Sequence, residues 1–191
     1  MFGTRTFIVL ALTPLFILTL CLSSQIFQLP EVLALSTLSA TTTSNDTFGM
    51  NGQISSLILG MPPNTKTVDM STVQKFILSG NWSLDINKGE LRDFRASFYT
   101  GPVNGANNHT HQLNNFRNNS ESPIQLSPTK SLSLSGILDV GTNGNKAWNN
   151  VNATIDISNG RTIIIKLEDK DTQSHFMGQQ IYGIVERLGA V

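Results

Sequence analysis

Val151-Asn152-Ala153-Thr154-Ile155-Asp156-Ile157-Ser158-Asn159-Gly160-Arg161-Thr162-Ile163-Ile164-Ile165-Lys166-Leu167 decides the fold class. Apolar residues recur at every second position on both sides of Asn159-Gly160: Val151, Ala153, Ile155 and Ile157 before it, Ile163, Ile165 and Leu167 after it. A period of two sends alternate side chains to opposite faces, so each run reads as a strand buried on one side and wet on the other. Asn-Gly between two such runs suits a tight hairpin turn, because both residues accept positive φ. The stretch predicts an antiparallel hairpin.

The same grammar extends outward in both directions. Leu132, Leu134, Leu138 and Val140 alternate with Ser131, Ser133, Ser135 and Asp139, and Gly136 sits in the apolar row, where a bulge is expected. Asn143-Gly144 turns the chain into a strand whose apolar row is Ala147, Asn149 and Val151, which leaves Trp148 on the polar row with Asn150 and Asn152. An exposed tryptophan in that row suits stacking on a sugar or another flat ligand, whereas a register slip at Asn143-Gly144-Asn145 would bury it. Further back, Trp82, Leu84 and Ile86 share a face, Lys88-Gly89 supplies a turn, and Phe94, Ala96 and Phe98 return, which predicts a hairpin over 81–100. Ile54 to Leu59 reads as the first strand, and Ser71-Thr72-Val73-Gln74 has the spacing of a capping box, which predicts one helical turn before Phe76-Ile77-Leu78. Beyond the opening hairpin, Glu168-Asp169-Lys170-Asp171 is a charged turn and Ile181 to Leu188 a last strand. No helical period is sustained from Gly52 onward. The expectation is an all-β domain, a single antiparallel β-sandwich or β-barrel of eight to nine strands, preceded by an N-terminal apolar signal or anchor helix.

That N-terminal segment runs from Phe7 to Leu22, almost wholly apolar, with Arg5 as the only charge before it. Its length suits either a secretory signal or a single membrane anchor. Residues 1–34 are therefore assigned to targeting, 35–51 to a Ser/Thr-rich linker and 52–191 to the β domain. The expected location is extracytoplasmic, secreted or held at the membrane by residues 7–22. Charged residues are 14% of the 191 and the net charge is zero, so neither nucleic acid nor an acidic membrane surface is an implied partner. Cys21 is the only cysteine and falls within the apolar segment, which excludes an intrachain disulfide and thiolate chemistry in the domain. In an exported chain the sequons at Asn45, Asn81, Asn108, Asn118 and Asn152 are glycosylation candidates.

Chemistry gathers at Asn107-Asn108-His109-Thr110-His111-Gln112-Leu113. His109 and His111 are two apart, so on an extended segment both rings point the same way and can reach one metal ion. Ser174-His175-Phe176-Met177 repeats the spacing and offers a third imidazole and a thioether. The combination His109, His111, His175 and Met177 suits copper better than zinc, because a soft thioether is a ligand that copper(I) favours. The alternative is that the two histidines are solvated loop residues and Met177 fills the core. The metal reading requires the strands carrying His109 and His175 to lie side by side. Other sites are weaker. Asp139-Val140-Gly141-Thr142-Asn143-Gly144-Asn145 departs from a calcium loop in having Gly141 at a ligand position and no closing glutamate, and Glu168, Asp169 and Asp171 form a solvated turn before a calcium site. Glu90, Asp93, Glu121 and Asp139 supply carboxylates for a surface glycan hydrolase, yet no spacing selects a pair.

Gly80-Asn81-Trp82-Ser83-Leu84, His109-Thr110-His111 with Asn115-Phe116, Trp148-Asn149-Asn150-Val151, and His175-Phe176 with Ile181-Tyr182-Gly183 together resemble a group of uncharacterised exported proteins of ammonia-oxidising archaea, over about residues 70 to 188. The resemblance implies a surface location and a β domain, and it carries no catalytic residues over. Copper is abundant in the enzymology of that lineage, an association that leans toward the metal reading. Three functions stay open: a non-enzymatic extracytoplasmic β domain that binds a ligand or partner at the cell surface, a copper-handling protein and, third, a hydrolase of surface glycans.

Overall fold

The computed structural model describes residues 46–61, 67, 69–105 and 107–189. The targeting segment with Cys21, most of the linker and the sequon residue Asn45 lie outside the described residues. Among the described residues eight strands run in chain order: β1 Phe48–Gly60, β2 Gln74–Asn87, β3 Glu90–Pro102, β4 His109–Asn118, β5 Leu132–Thr142, β6 Asn145–Ser158, β7 Thr162–Leu167 and β8 Ile181–Gly189. Each pairs antiparallel with the next, and β8 pairs with β1, so the sheet closes into a barrel. Of the two architectures the sequence left open, the barrel is the one formed. β1 also starts earlier than expected, at Phe48, inside the stretch assigned to the linker.

Local chemistry explains the hairpins. Lys88-Gly89, Asn143-Gly144 and Asn159-Gly160 all have positive φ at both residues, the pair of conformations a tight turn between right-twisted strands demands. The expected single turn forms two residues earlier, with the Asp69 carbonyl accepting the Thr72 and Val73 N–H groups at 3.1 and 3.0 Å, and Asp69 rather than Ser71 caps it. The Asp69 carboxylate takes the Ser71 N–H at 2.8 Å and hydroxyl at 2.6 Å, and β2 begins at once at Gln74.

The inward row of every strand joins one core. Ile54, Leu78, Leu84, Ile86, Phe94, Phe98, Leu113, Leu138, Ile155 and Ile163 are all sealed from solvent. An eight-stranded barrel is just wide enough for side chains to fill, and this one is filled, so its interior is a core and not a ligand cavity. Trp82 sits in that row, as its alternation predicts, and its indole N–H crosses β1 to the Ile184 carbonyl of β8 at 3.0 Å. Gly52, its partner in the register, leaves the room for this: a Cβ there would lie 1.9 Å from the Ile184 oxygen.

Two bulges set what faces where. Between Asn114 and Arg117, β4 has one residue more than β5, and Asn115 takes a φ of 54°. The bulge expected at Gly136 is therefore on the neighbouring strand, and Gly136 is the residue that makes room for it, because a Cβ there would meet the Arg117 carbonyl at 2.1 Å. The second is on β6, opposite Asp139, where Asn150 has a φ of 55°. It reverses the alternation before Val151: Ala147 and Asn149 are exposed, and Trp148 turns inward. The placement of Trp148 on the polar row is thus corrected by a bulge at Asn150, and a further register shift lies between Trp148 and Lys146, beside Asn143-Gly144-Asn145. Asp139 ties both bulges. Its buried carboxylate accepts from the Asn115 amide at 3.0 Å, the Asn150 backbone N–H at 3.1 Å and the Lys146 ammonium at 3.0 Å.

Irregular segments cover both mouths of the barrel. Residues 119–131 cross one, burying Ile124, whose N–H bonds the Gly89 carbonyl at 2.7 Å. Residues 168–180 cross the other, where β4 begins and β5 ends, and they bury Phe176.

Candidate metal centre

β4 carries His109 at its first position and His111 two residues in, so both rings face the interior at the covered mouth. His111 is completely buried, and His109 is partly exposed at the rim. The third histidine arrives by a different route from the one expected. Ser174-His175-Phe176-Met177 is not a strand: it belongs to the run of turns between β7 and β8, with positive φ at Gln173, Ser174, Met177 and Gly178. Such a loop holds one shape only if it is tied down. The Asp169 carboxylate accepts the Ser174 hydroxyl at 2.8 Å, the Asp171 carboxylate accepts the Asn152 side-chain amide at 2.8 Å, and the Gln179 side chain takes the Leu59 N–H at 3.0 Å while donating to its carbonyl at 2.6 Å. The charged turn, read as a solvated turn before a calcium site, is this fastening: Asp169 through one carboxylate oxygen and Asp171 both accept hydrogen bonds within the fold.

The loop delivers His175 Nε2 to 3.2 Å from His111 Nε2 and 3.4 Å from His109 Nε2. The three rings stand at steep angles to one another, with centroids 4.7, 5.0 and 5.4 Å apart. An ion bound by nitrogens at about 2.0–2.1 Å in tetrahedral geometry separates them by about 3.3 Å, close to both measured spacings.

Protonation favours the same reading. His109 Nδ1 lies 3.1 Å from the Asn107 carbonyl, and His111 Nδ1 lies 3.3 Å from the Gly141 carbonyl and 3.1 Å from the Thr142 hydroxyl. A carbonyl only accepts, so each Nδ1 carries the hydrogen and each Nε2 presents a lone pair to the centre. His175 can give a proton to one of the two but not to both. Burial, and then repulsion from the other two imidazoles when charged, pulls His111 down to about 4, and burial followed by repulsion from His109 lowers His175. At neutral pH both are uncharged, the state in which imidazole binds a metal.

Aromatic rings wall the cluster. Phe98 and Phe176 lie 5.4 and 5.0 Å from the His111 ring, and Trp148 lies 5.0 Å from the His175 ring. Trp148, expected as an exposed stacking residue, is a wall of this site. Met177 packs against the core from within the same loop. Among the described residues no carboxylate or thiol joins the three imidazoles.

The remaining sequence candidates lie elsewhere. Asn81, Asn108 and Asn152 are exposed, and Asn118 is half-buried with its amide bonded to the Ser120 carbonyl at 3.2 Å. Glu90 and Asp93 pair with Arg92 and Arg95, and Asp139 is occupied with the bulges. Sequence reading misses the supporting cast: Phe98, Thr142 and the two carbonyls on Nδ1. Phe98 and Thr142 do lie in inward rows of strands that flank β4, but only the register shows that they meet His111. No protein-family model, curated protein or solved structure matches this chain.

Proposed function

We propose that this protein is an extracytoplasmic copper-binding domain, exported or anchored by residues 7–22, that holds one copper ion on His109, His111 and His175. The observation that carries the reading is the convergence of three Nε2 atoms, two of them backed by backbone carbonyls through Nδ1. Three neutral imidazoles without a carboxylate or thiolate form a donor set that binds divalent first-row metals in the order that peaks at copper. The thioether of Met177 is not required for that preference. Among the described residues the cluster consists of imidazoles alone, and the reading is of a metal-binding site.

The test is copper affinity of the purified protein, measured by competition with a chromophoric chelator, against a variant in which His109 and His111 are both alanine. The parent is expected to take one equivalent, and the variant to bind at least about a hundredfold more weakly, as loss of metal ligands costs more than the 10–100-fold of their supporting partners. Equal, weak binding by both proteins would falsify the proposal.

A further inference from the structure

Thr100 is the residue on β3 directly across from His109, and its side chain lies on the inward row that continues Phe94, Ala96 and Phe98. It is 7% exposed, and its hydroxyl has no hydrogen-bond partner in the protein. A buried hydroxyl without a partner loses its hydration with nothing in exchange, a cost that folded proteins rarely leave unmet. Its neighbours are those of the site: His109 is opposite it, and the pair Phe98 and His111 is the next inward pair along the same two strands.

The cluster has its own incompleteness. Three nitrogens from the chain form a tripod, and no fourth histidine, cysteine or carboxylate among the described residues joins them. Sites with three protein ligands keep a position for water or another small ligand, whereas structural sites close with four. His109 stands partly exposed at the rim, so solvent reaches the edge of the tripod.

We infer that the bound metal carries a fourth ligand from solution, a water or a small anion, and that the Thr100 hydroxyl donates a hydrogen bond to it. This rests on the metal reading above. It adds to that reading an exchangeable position and a residue that selects its occupant: a ligand whose metal-bound atom still has a lone pair to accept from Thr100. Water, hydroxide and azide meet that condition. Both incomplete features, the orphan hydroxyl and the three-ligand tripod, are satisfied by the same atom.

The experiment uses the full-length chain loaded with one equivalent of copper(II) and titrated with azide, which gives a charge-transfer absorption when it coordinates the metal. The parent is expected to show a saturable azide band. Thr100→Val, which keeps the shape and removes the hydroxyl, is expected in its copper-loaded form to bind azide about tenfold more weakly than the copper-loaded parent, the worth of one hydrogen bond. Thr100→Ser, which restores the hydroxyl, is expected to recover azide affinity and guards against a folding defect in the valine variant. Absence of an azide band on the copper-loaded parent overturns the inference, and so does equal azide affinity in the parent and the valine variant. Failure of the parent to take up copper at all is seen before azide is added; it marks the loss of the metal reading itself, and the inference falls with it.

Discussion

His111 concentrates the residue-scale physics of this protein. A base buried among Phe98, Phe176 and two further imidazoles stays neutral, with its pKa pulled from the ordinary 6.5 to about 4. Below pH 6.5 the unfolded chain binds a proton there that the folded chain refuses, so folding stability falls with pH from about 6.5 to about 4 and then levels. Asp139 adds a second window. The Asn115 amide first, then Lys146 and the Asn150 N–H, hold its carboxyl at about 2. Its contribution is present above the ordinary carboxylate range and is lost as pH falls from about 4 toward 2. Denaturant titrations of the metal-free protein at pH 7, 5.5, 4 and 2.5 should therefore show two successive losses. His111→Leu should shrink the upper one, leaving the smaller share of His175, and Asp139→Asn should flatten the lower one. A profile unchanged by His111→Leu would mean that the buried imidazole is not the group responsible.

Strands and turns are held by devices that differ in kind from those of the site. The β4 bulge exists because Gly136 leaves space for the Arg117 carbonyl, and that obstacle is backbone, which cannot swing aside. Gly136→Ala is expected to cost about 1–3 kcal/mol in denaturant unfolding, the usual range for overpacking. The loop over the mouth depends on a different fastening, the two hydrogen bonds between the Gln179 side chain and Leu59. Gln179→Ala leaves the barrel intact and loosens the segment that presents His175. Its expected signature is a loss of copper affinity of about tenfold with unfolding free energy changed by no more than about 1 kcal/mol, in keeping with a partner that orients a ligand. A variant that loses as much stability as affinity would instead mark Gln179 as part of the general framework.

At the scale of the whole molecule, two covered mouths and a filled interior leave the barrel as a rigid mount for one site. Two of the three histidines stand on a strand of the closed sheet and the third on the loop that caps it, so an ion held by all three would link cap and barrel. A ligand that binds only the folded form stabilises it by mass action, about 2.7 kcal/mol at a free concentration a hundredfold above Kd. For a domain of this size that corresponds to a rise in Tm of roughly 10 °C. Copper should raise the melting temperature by that order, a strong chelator should return it to the metal-free value, and the variant with alanine at both His109 and His111 should not respond. A shift of equal size in that variant would place the stabilising metal elsewhere.

By itself the sequence determined what neighbours along the chain can determine. The alternation around Asn159-Gly160 established the hairpins and the all-β class, because side-chain parity and positive-φ tolerance are properties of adjacent residues. His109 and His111 were legible as a pair for the same reason. The tertiary structure decided the rest. Closure into a barrel depends on β1 meeting β8, strands from opposite ends of the domain that no local signal joins. The inward turn of Trp148 follows from a bulge opposite Asp139, which inverts a parity that sequence spacing carries forward unchanged. The meeting of His175 with the other two rests on a loop fastened by Asp169, Asp171 and Gln179, at 64 residues' remove from His111. Each of these is a contact between distant segments, selected by the packing of the whole barrel and not by the preferences of any one stretch.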